Sequence, residues 1–302
     1  MRITIAAVGD LLMKKQMIAS AAREGGFAPI FSKVKPYLKK SDLTIGNLET
    51  TFSATKFREV PGKLLFNSPD KFAATLRNVG FDVLGTANNH CMDGKRSGLT
   101  RTLNVLDRHG LRHTGTYRTS MEARRKLIVN VKGIKIGILA YTKGTNGIPV
   151  PNPWLVNRLN PQKIIADVRS LKSKSDFIIA CLHFGKEFQT YPDRKQIQLI
   201  QLLFNHGVNV VLGAHPHVLH PIKMVKVKDI DGHIRNRVAA SSLGNFVSTE
   251  LPRHTARLQG TILMLTVTKN EKGITDVLKM STVPTRILQK IGKKNVYRVV
   301  PG

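Results

Sequence analysis

Short apolar runs with strand character alternate along this chain with longer segments whose apolar residues recur every three or four positions, the periods that separate strand from helix. The runs ITIAAV, LTI, FDVLGTA, FIIACL and VNVVLGA read as buried strands. Gln16 to Ala22 and Ala28 to Lys39 carry helical spacing, the second stopping near Ser41-Asp42. Asn67-Ser68-Pro69-Asp70 predicts a helix start, with Ser68 as N-cap and Pro69 at the first position, and that helix stops at Gly80. Leu99, Leu103 and Leu106 define a helix over Gly98 to His109. Lys126 to Val131 and Ile134 to Tyr141 flank Lys132-Gly133 and predict a β-hairpin. Asn160-Pro161 opens a helix to about Leu171, and another runs from Asp193 to His206, closed by Gly207.

The remainder is β-rich: Ile222 to Val227, a turn at Asp231-Gly232, Arg237 to Leu243, Thr261 to Val267, a turn near Glu271 to Gly273, and a last strand near Asp276 to Met280. Segments 143–158 and 249–258 read as loops. Alternating strands and helices followed by antiparallel strands predict an α/β fold. With no internal repeat and no low-complexity linker, a single domain over residues 1–302 is expected.

Charge changes the picture. The chain holds 48 Lys+Arg against 19 Asp+Glu, a formal net charge of +29, and neither the run at Lys172 to Lys174 nor that at Lys290 to Lys294 accounts for it. A field of that sign concentrates polyanions, whether nucleic acid, anionic polymer or acidic membrane surface. Aromatics are only 6% and no nucleic-acid module is visible, so nucleic acid is the weakest of these partners. Two cysteines, Cys91 and Cys181, exclude a disulfide scaffold and read as small core residues. The first apolar stretch is broken by Asp10 and followed by Lys14 and Lys15, the reverse of a signal peptide. No apolar run approaches the ~20 residues of a membrane span. A cytoplasmic or peripheral chain is expected.

The candidate chemistry lies where the strands stop. In an open α/β sheet, ligands collect in the crevice beyond the carboxyl ends of the strands. There the five runs deliver Asp10, Glu49, Asn89, His183, and His215 with His217. Two carboxylates, three imidazoles and a neutral carbonyl oxygen are the ligand types of a divalent centre that activates water, and their number suits two ions. His90, beside a ligand and pointing the other way, is free to act as a general acid. A lone Gly-Asp or Asn-Leu-Glu after a strand is usually a turn. Two imidazoles flanking a proline at a strand exit have little packing purpose. His109, His113, His206, His220, His233 and His254 read as helix ends, loops or surface.

Gly9-Asp10, Gly46-Asn47-Leu48-Glu49, Ala87-Asn88-Asn89-His90 with Asp93, His183-Phe184-Gly185 with Glu187, Pro192 and Gln196, Gly213-Ala214-His215-Pro216-His217, and Ser242-Leu243-Gly244-Asn245-Phe246 occur in register. This series resembles the CapA family of capsule-synthesis proteins, associated with poly-γ-glutamate and part of the calcineurin-like metallophosphoesterase superfamily. The resemblance implies a four-layer α-β-β-α sandwich and a centre of two divalent ions, of the Mn, Fe or Zn type. Its ligands would be Asp10, Glu49, Asn89, His183, His215 and His217, with His90 as the acid. Two departures from the wider superfamily stand out. Asp10-Leu11-Leu12 replaces Asp-x-His, removing one imidazole, and Gly46-Asn47 replaces a bridging Gly-Asp. Either Glu49 takes the bridge, or Asn47 coordinates while Glu49 supports it.

Two functions are compatible with these features. One is a hydrolase acting on a phosphoester or anionic polymer. The other is a non-catalytic component that holds poly-γ-glutamate or a capsule-synthase partner.

Overall fold

The structure, a computed structural model, describes residues 1–54, 64–249, 258–289 and 296–302. His254, most of the loop expected at 249–258 and the basic run at 290–294 lie outside the described residues. In chain order the first half contains β1 (Arg2–Leu11), α1 (Lys15–Arg23), α2 (Ala28–Phe31), α3 (Lys35–Lys39), β2 (Leu43–Leu48), α4 (Asp70–Val79), β3 (Val83–Gly85), α5 (Lys95–Arg108), β4 (Arg112–Thr114), α6 (Ser120–Arg124), β5 (Leu127–Val131) and β6 (Ile134–Thr142). There follow α7 (Pro161–Lys172), β7 (Phe177–His183), α8 (Arg194–Asn205), β8 (Val210–Ala214), β9 (Ile222–Lys228), β10 (Ile234–Ala240), β11 (Asn245–Val247), β12 (Gln259–Lys269), β13 (Thr275–Leu288) and β14 (Arg298–Pro301).

Among the described residues the strands form two sheets. One runs β14-β13-β12-β1-β2-β3-β4, with β11 beside β1, and the other runs β5-β6-β7-β8-β10-β9. Alternation along each strand builds the layers. Ile3 and Ile5 of the first sheet meet Ile136, Ile179 and Val210 of the second in one apolar layer between the sheets. Val8 and Leu11 face away, toward Phe72, Leu76 and Leu103 on α4 and α5. Ile178 and Leu182 face Val168, Leu203 and Phe204 on α7 and α8. The result is helix, sheet, sheet, helix, with all the parallel strands of the two sheets ending near one edge.

At the opposite edge the parallel strands are pinned by a recurring device. Asp42, Asp82, Asp176 and Asn209 each stand one residue before a strand, and each accepts the N–H of the neighbouring strand's early residue: Thr4, Thr44, Lys135 and Ile178, at 2.8 to 2.9 Å. The side chain thereby fixes the register of its strand pair.

Several expectations shift by a few residues. The helix expected over Ala28 to Lys39 is two helices, α2 and α3, each with a proline in its first turn, where a missing N–H costs nothing. Ser68 is not the N-cap of α4: that position is Pro69, and the buried Ser68 hydroxyl pairs with Thr50 Oγ1 at 2.9 Å instead. By contrast, α7 and α8 start where expected, with Asn160 and Asp193 as their N-caps, Asp193 in a capping box with Gln196. Lys132 and Gly133 both have positive φ, the two-residue turn a right-twisted hairpin favours. The strand read as Arg237 to Leu243 is Ile234–Ala240, and the last expected strand is the much longer β13. Among the described residues, no helix is long and apolar enough to cross a membrane.

Candidate metal centre

Asp10 reaches the gap between the sheets through an irregularity. Strict alternation would send it with Val8 toward the helices. The pairing of β1 with β2 shifts register between Ala7 and Asp10, after which Leu11 faces the helices and Asp10 is buried at the site. Gly9 permits this, because a Cβ there would lie 1.9 Å from the Gly244 carbonyl oxygen. Glu49 needs no such device. It continues the side of Leu43 and Ile45 along β2, and His183 continues that of Phe177 and Ile179 along β7.

Asn88 shapes the third corner. Its amide donates to Leu48 O at 2.7 Å while its carbonyl accepts the His90 N–H at 3.0 Å, turning Asn89 and His90 apart. Asn89 Oδ1 lies 2.9 Å from His183 Nε2. His90 Nδ1 donates to Asp93 Oδ2 at 2.8 Å, and the same oxygen accepts the Phe66 N–H at 2.6 Å. His90 Nε2 faces Asn146 Nδ2 at 3.4 Å. The fourth corner is strained: His215 and His217 have φ of 97° and 60°, a region that L side chains rarely adopt.

These corners meet. One candidate ligand atom from each of Asp10, Glu49 and His217 lies within 4.8 Å of the others. Glu49 Oε1 is 3.6 Å from His183 Nε2 and 3.8 Å from His217 Nε2. The His183 and His215 rings are 4.8 Å apart, centroid to centroid. Asn47 Nδ2 donates to Asp10 Oδ1 at 2.7 Å and stands 3.3 Å from His183 Nδ1. Asp10, Glu49 and His217 thus form the compact group, His183 adjoins it through Glu49, and Asn89 and His215 adjoin His183.

The electrostatics fit a cation. Glu49 is wholly buried and neither of its oxygens has a hydrogen-bond partner. Burial, then the charge of Asp10, pushes its carboxyl well above the usual range. For His217, burial acts downward, but the charge of Glu49 and the hydrogen bond of Asp10 outweigh it and carry the ring to about 10. Burial, then the like charges of His215 and His217, holds His183 well below the usual histidine range, leaving it neutral, the state that binds metal. Carboxylates, an amide oxygen and imidazoles gathered around the buried Glu49 carboxyl are donor types suited to divalent ions.

Sequence reasoning missed two contacts. Asn245, inside the quoted Ser242 to Phe246 series, touches His217, and Asn146, inside a segment read only as loop, touches His90. Of the histidines set aside, His113 is not at a surface: it lies on β4, largely buried against Asp107 at 3.0 Å. His220 is buried and donates to Gln189 O at 2.7 Å. Cys91 and Cys181 are free, and burial pushes both thiols up to about 12. Leu12 is buried and apolar where an imidazole was missed.

Solved structures with this fold include a phosphatase from Mycoplasma pneumoniae, with a TM-score of 0.54 at 17% identity, covering 94% of this chain and 93% of that one. They also include the NAD nucleotidase of Haemophilus influenzae, with a TM-score of 0.55 at 13% identity, covering 100% and 60%. The architecture is thus of the metallophosphoesterase type. The PGA biosynthesis protein CapA of Bacillus subtilis is 28% identical over 244 residues, which span 80% of this chain but only 62% of that protein. The capsule biosynthesis protein CapA of Bacillus anthracis is 23% identical over 309 residues, spanning 98% and 72%. Residues 4–250 match the family described as bacterial capsule synthesis protein PGA_cap, and the chain belongs to that family.

Proposed function

We propose that this chain is a metal-dependent hydrolase of the phosphoesterase type that serves the biosynthesis of a poly-γ-glutamate capsule. The observation that carries the reading is Glu49, a buried carboxylate without hydrogen-bond partners, standing between imidazoles from two strand ends. Burial makes ionising this carboxyl costly, as its raised pKa reflects, and cations shared with its neighbours would offset that cost. Two divalent ions of the Mn, Fe or Zn type would be held, one by Asp10, Glu49 and His217, the other by Glu49, Asn89, His183 and His215. The Asn47 amide donates to Asp10, which favours Glu49 over Asn47 as the shared ligand.

When loaded, such a centre supplies Lewis-acid polarisation of an ester oxygen and a water activated at neutral pH. The protein's own part is orientation and proton transfer. Asp93 holds His90 by its Nδ1–H, leaving Nε2 to deliver a proton to the leaving oxygen. The net charge of +29 raises the local concentration of an anionic polymer around this site.

A second reading, a non-catalytic accessory that holds the polymer or a synthase partner, draws support from Leu12, which leaves one ion position short of an imidazole. The test is elemental analysis of protein purified without chelator, together with hydrolysis of bis(p-nitrophenyl) phosphate and of poly-γ-glutamate oligomers. Stoichiometric metal with turnover supports the hydrolase. Metal without turnover supports the accessory, and protein free of metal sinks the centre itself.

A further inference from the structure

Asn245 is buried at the start of β11, and its side-chain amide makes two contacts with His217. Oδ1 lies 3.0 Å from His217 Nδ1, and Nδ2 donates to the His217 main-chain carbonyl at 3.5 Å. The second contact orients the first. A carbonyl oxygen only accepts, so the amide NH2 must face it and Oδ1 must face the ring. The other neighbour of Nδ1 is also an acceptor, Asp10 Oδ2 at 3.1 Å. With two acceptors and no donor before it, Nδ1 carries the hydrogen. In the neutral, metal-binding ring the lone pair is then confined to Nε2, which points at Glu49 Oε1.

The backbone is built to bring Asn245 there. It stands directly across from Asp10 in the parallel pairing of β1 and β11, although the two are distant in sequence. The preceding residue, Gly244, has φ of 68° and accepts the Asp10 N–H at 3.0 Å, in the space that Gly9 leaves open. On the other side, a Cβ at Gly260 would lie 2.3 Å from the Asn245 carbonyl oxygen. Three glycines thus make room for one asparagine. Its partner His217 is held in a left-handed conformation that a free histidine would leave.

We propose that Asn245 is a positioning residue: it locks His217 as the Nδ1–H tautomer and fixes the ring so that Nε2 is the atom offered to the cation beside Glu49. This rests on the metal reading of the centre. Removing the partner that orients a ligating imidazole lowers metal affinity by about 10- to 100-fold.

The experiment uses the full chain and zinc alone. Long-range 1H–15N correlation on zinc-loaded protein identifies which His217 nitrogen bears hydrogen, with His217→Gln to assign the signal. Calorimetric titration measures zinc affinity of wild type, Asn245→Leu and Asn245→Asp. The expected result is hydrogen on Nδ1 in the wild type, a loss of about 10- to 100-fold in zinc affinity for the leucine variant, and retention of the Nδ1–H tautomer in the aspartate variant, which keeps an acceptor. Zinc bound through Nδ1 of His217, or wild-type affinity in a folded leucine variant, overturns the proposal. If the leucine variant does not fold, the aspartate variant decides, since a His217 switched to Nε2–H there is equally fatal. A wild type that binds no zinc overturns the metal reading instead, so the two failures are distinguishable.

Discussion

Glu49 Oε1 stands 3.6 Å from His183 Nε2, a carboxylate from one sheet facing an imidazole from the other. The gap is long for a hydrogen bond and normal for two ligands of one ion, which at about 2.1 Å each sit some 3 to 4 Å apart. Glu49→Gln is therefore expected to strip metal from both positions, as elemental analysis would show. Loss of metal from one position only would return the bridging place to Asn47.

His90 touches the site without joining the ligand set. His90→Asn should lower turnover by about 10² to 10⁴ with metal content unchanged. Asp93→Asn should lower kcat and kcat/KM together, since it disturbs how His90 is held and leaves substrate contacts in place. Metal lost along with activity in His90→Asn would reassign that residue as a ligand.

Arg237 is fully buried, paired with Asp229 Oδ2 at 2.8 Å, an oxygen that also serves Arg235 at 2.8 Å. Asp229→Asn leaves a buried guanidinium uncompensated and should cost about 3 to 5 kcal/mol in denaturant unfolding. Burial acts to raise the Asp229 pKa, but the Ile230 N–H, Arg237 and Lys172 outweigh it and hold it below the usual 3.8. Being depressed in the folded state, this group stabilises the fold fully at neutral pH and loses that contribution as pH falls below about 3.8. The asparagine variant should lack that component of acid sensitivity.

Binding of poly-γ-glutamate should weaken steeply from low to physiological salt, because exposed charges are screened over about 8 to 10 Å. Titration with duplex DNA at matched charge density provides the comparison. Equal affinity for both polymers would reduce the surface to a generic cation exchanger. A preference for the polypeptide that Lys186→Glu diminishes would locate recognition beside the centre, where Lys186 is exposed.

Much of this site is legible because it depends on strand ends, and strand ends show in the period of apolar residues. Glu49 and His183 follow their strands on the inward side without interruption, and His215-Pro216-His217 is conspicuous in any register. Asp10 is different. Its inward turn comes from a register shift that alternation alone would deny. The strands β4, β11 and β14 span only three or four residues, too few to express a period, and α6 only five. Asn245 was visible as a motif but not as a neighbour of Asp10, since the pairing that unites them crosses most of the chain.

The pinned strand starts carry a further consequence, one of chain length. Asp42, Asp82 and Asp176 stand seven residues before Glu49, Asn89 and His183 respectively. Three times, then, the polypeptide counts off the same interval between a peg at one edge of a sheet and a side chain offered at the other. Removing a single residue from β2 or β7 would pull Glu49 or His183 back by about 3.3 Å and turn it to the opposite face. Insertions and deletions are thereby confined to the connections between strands, while the two spans that run along β2 and β7 behave as gauge blocks whose common length sets where Glu49 and His183 can meet.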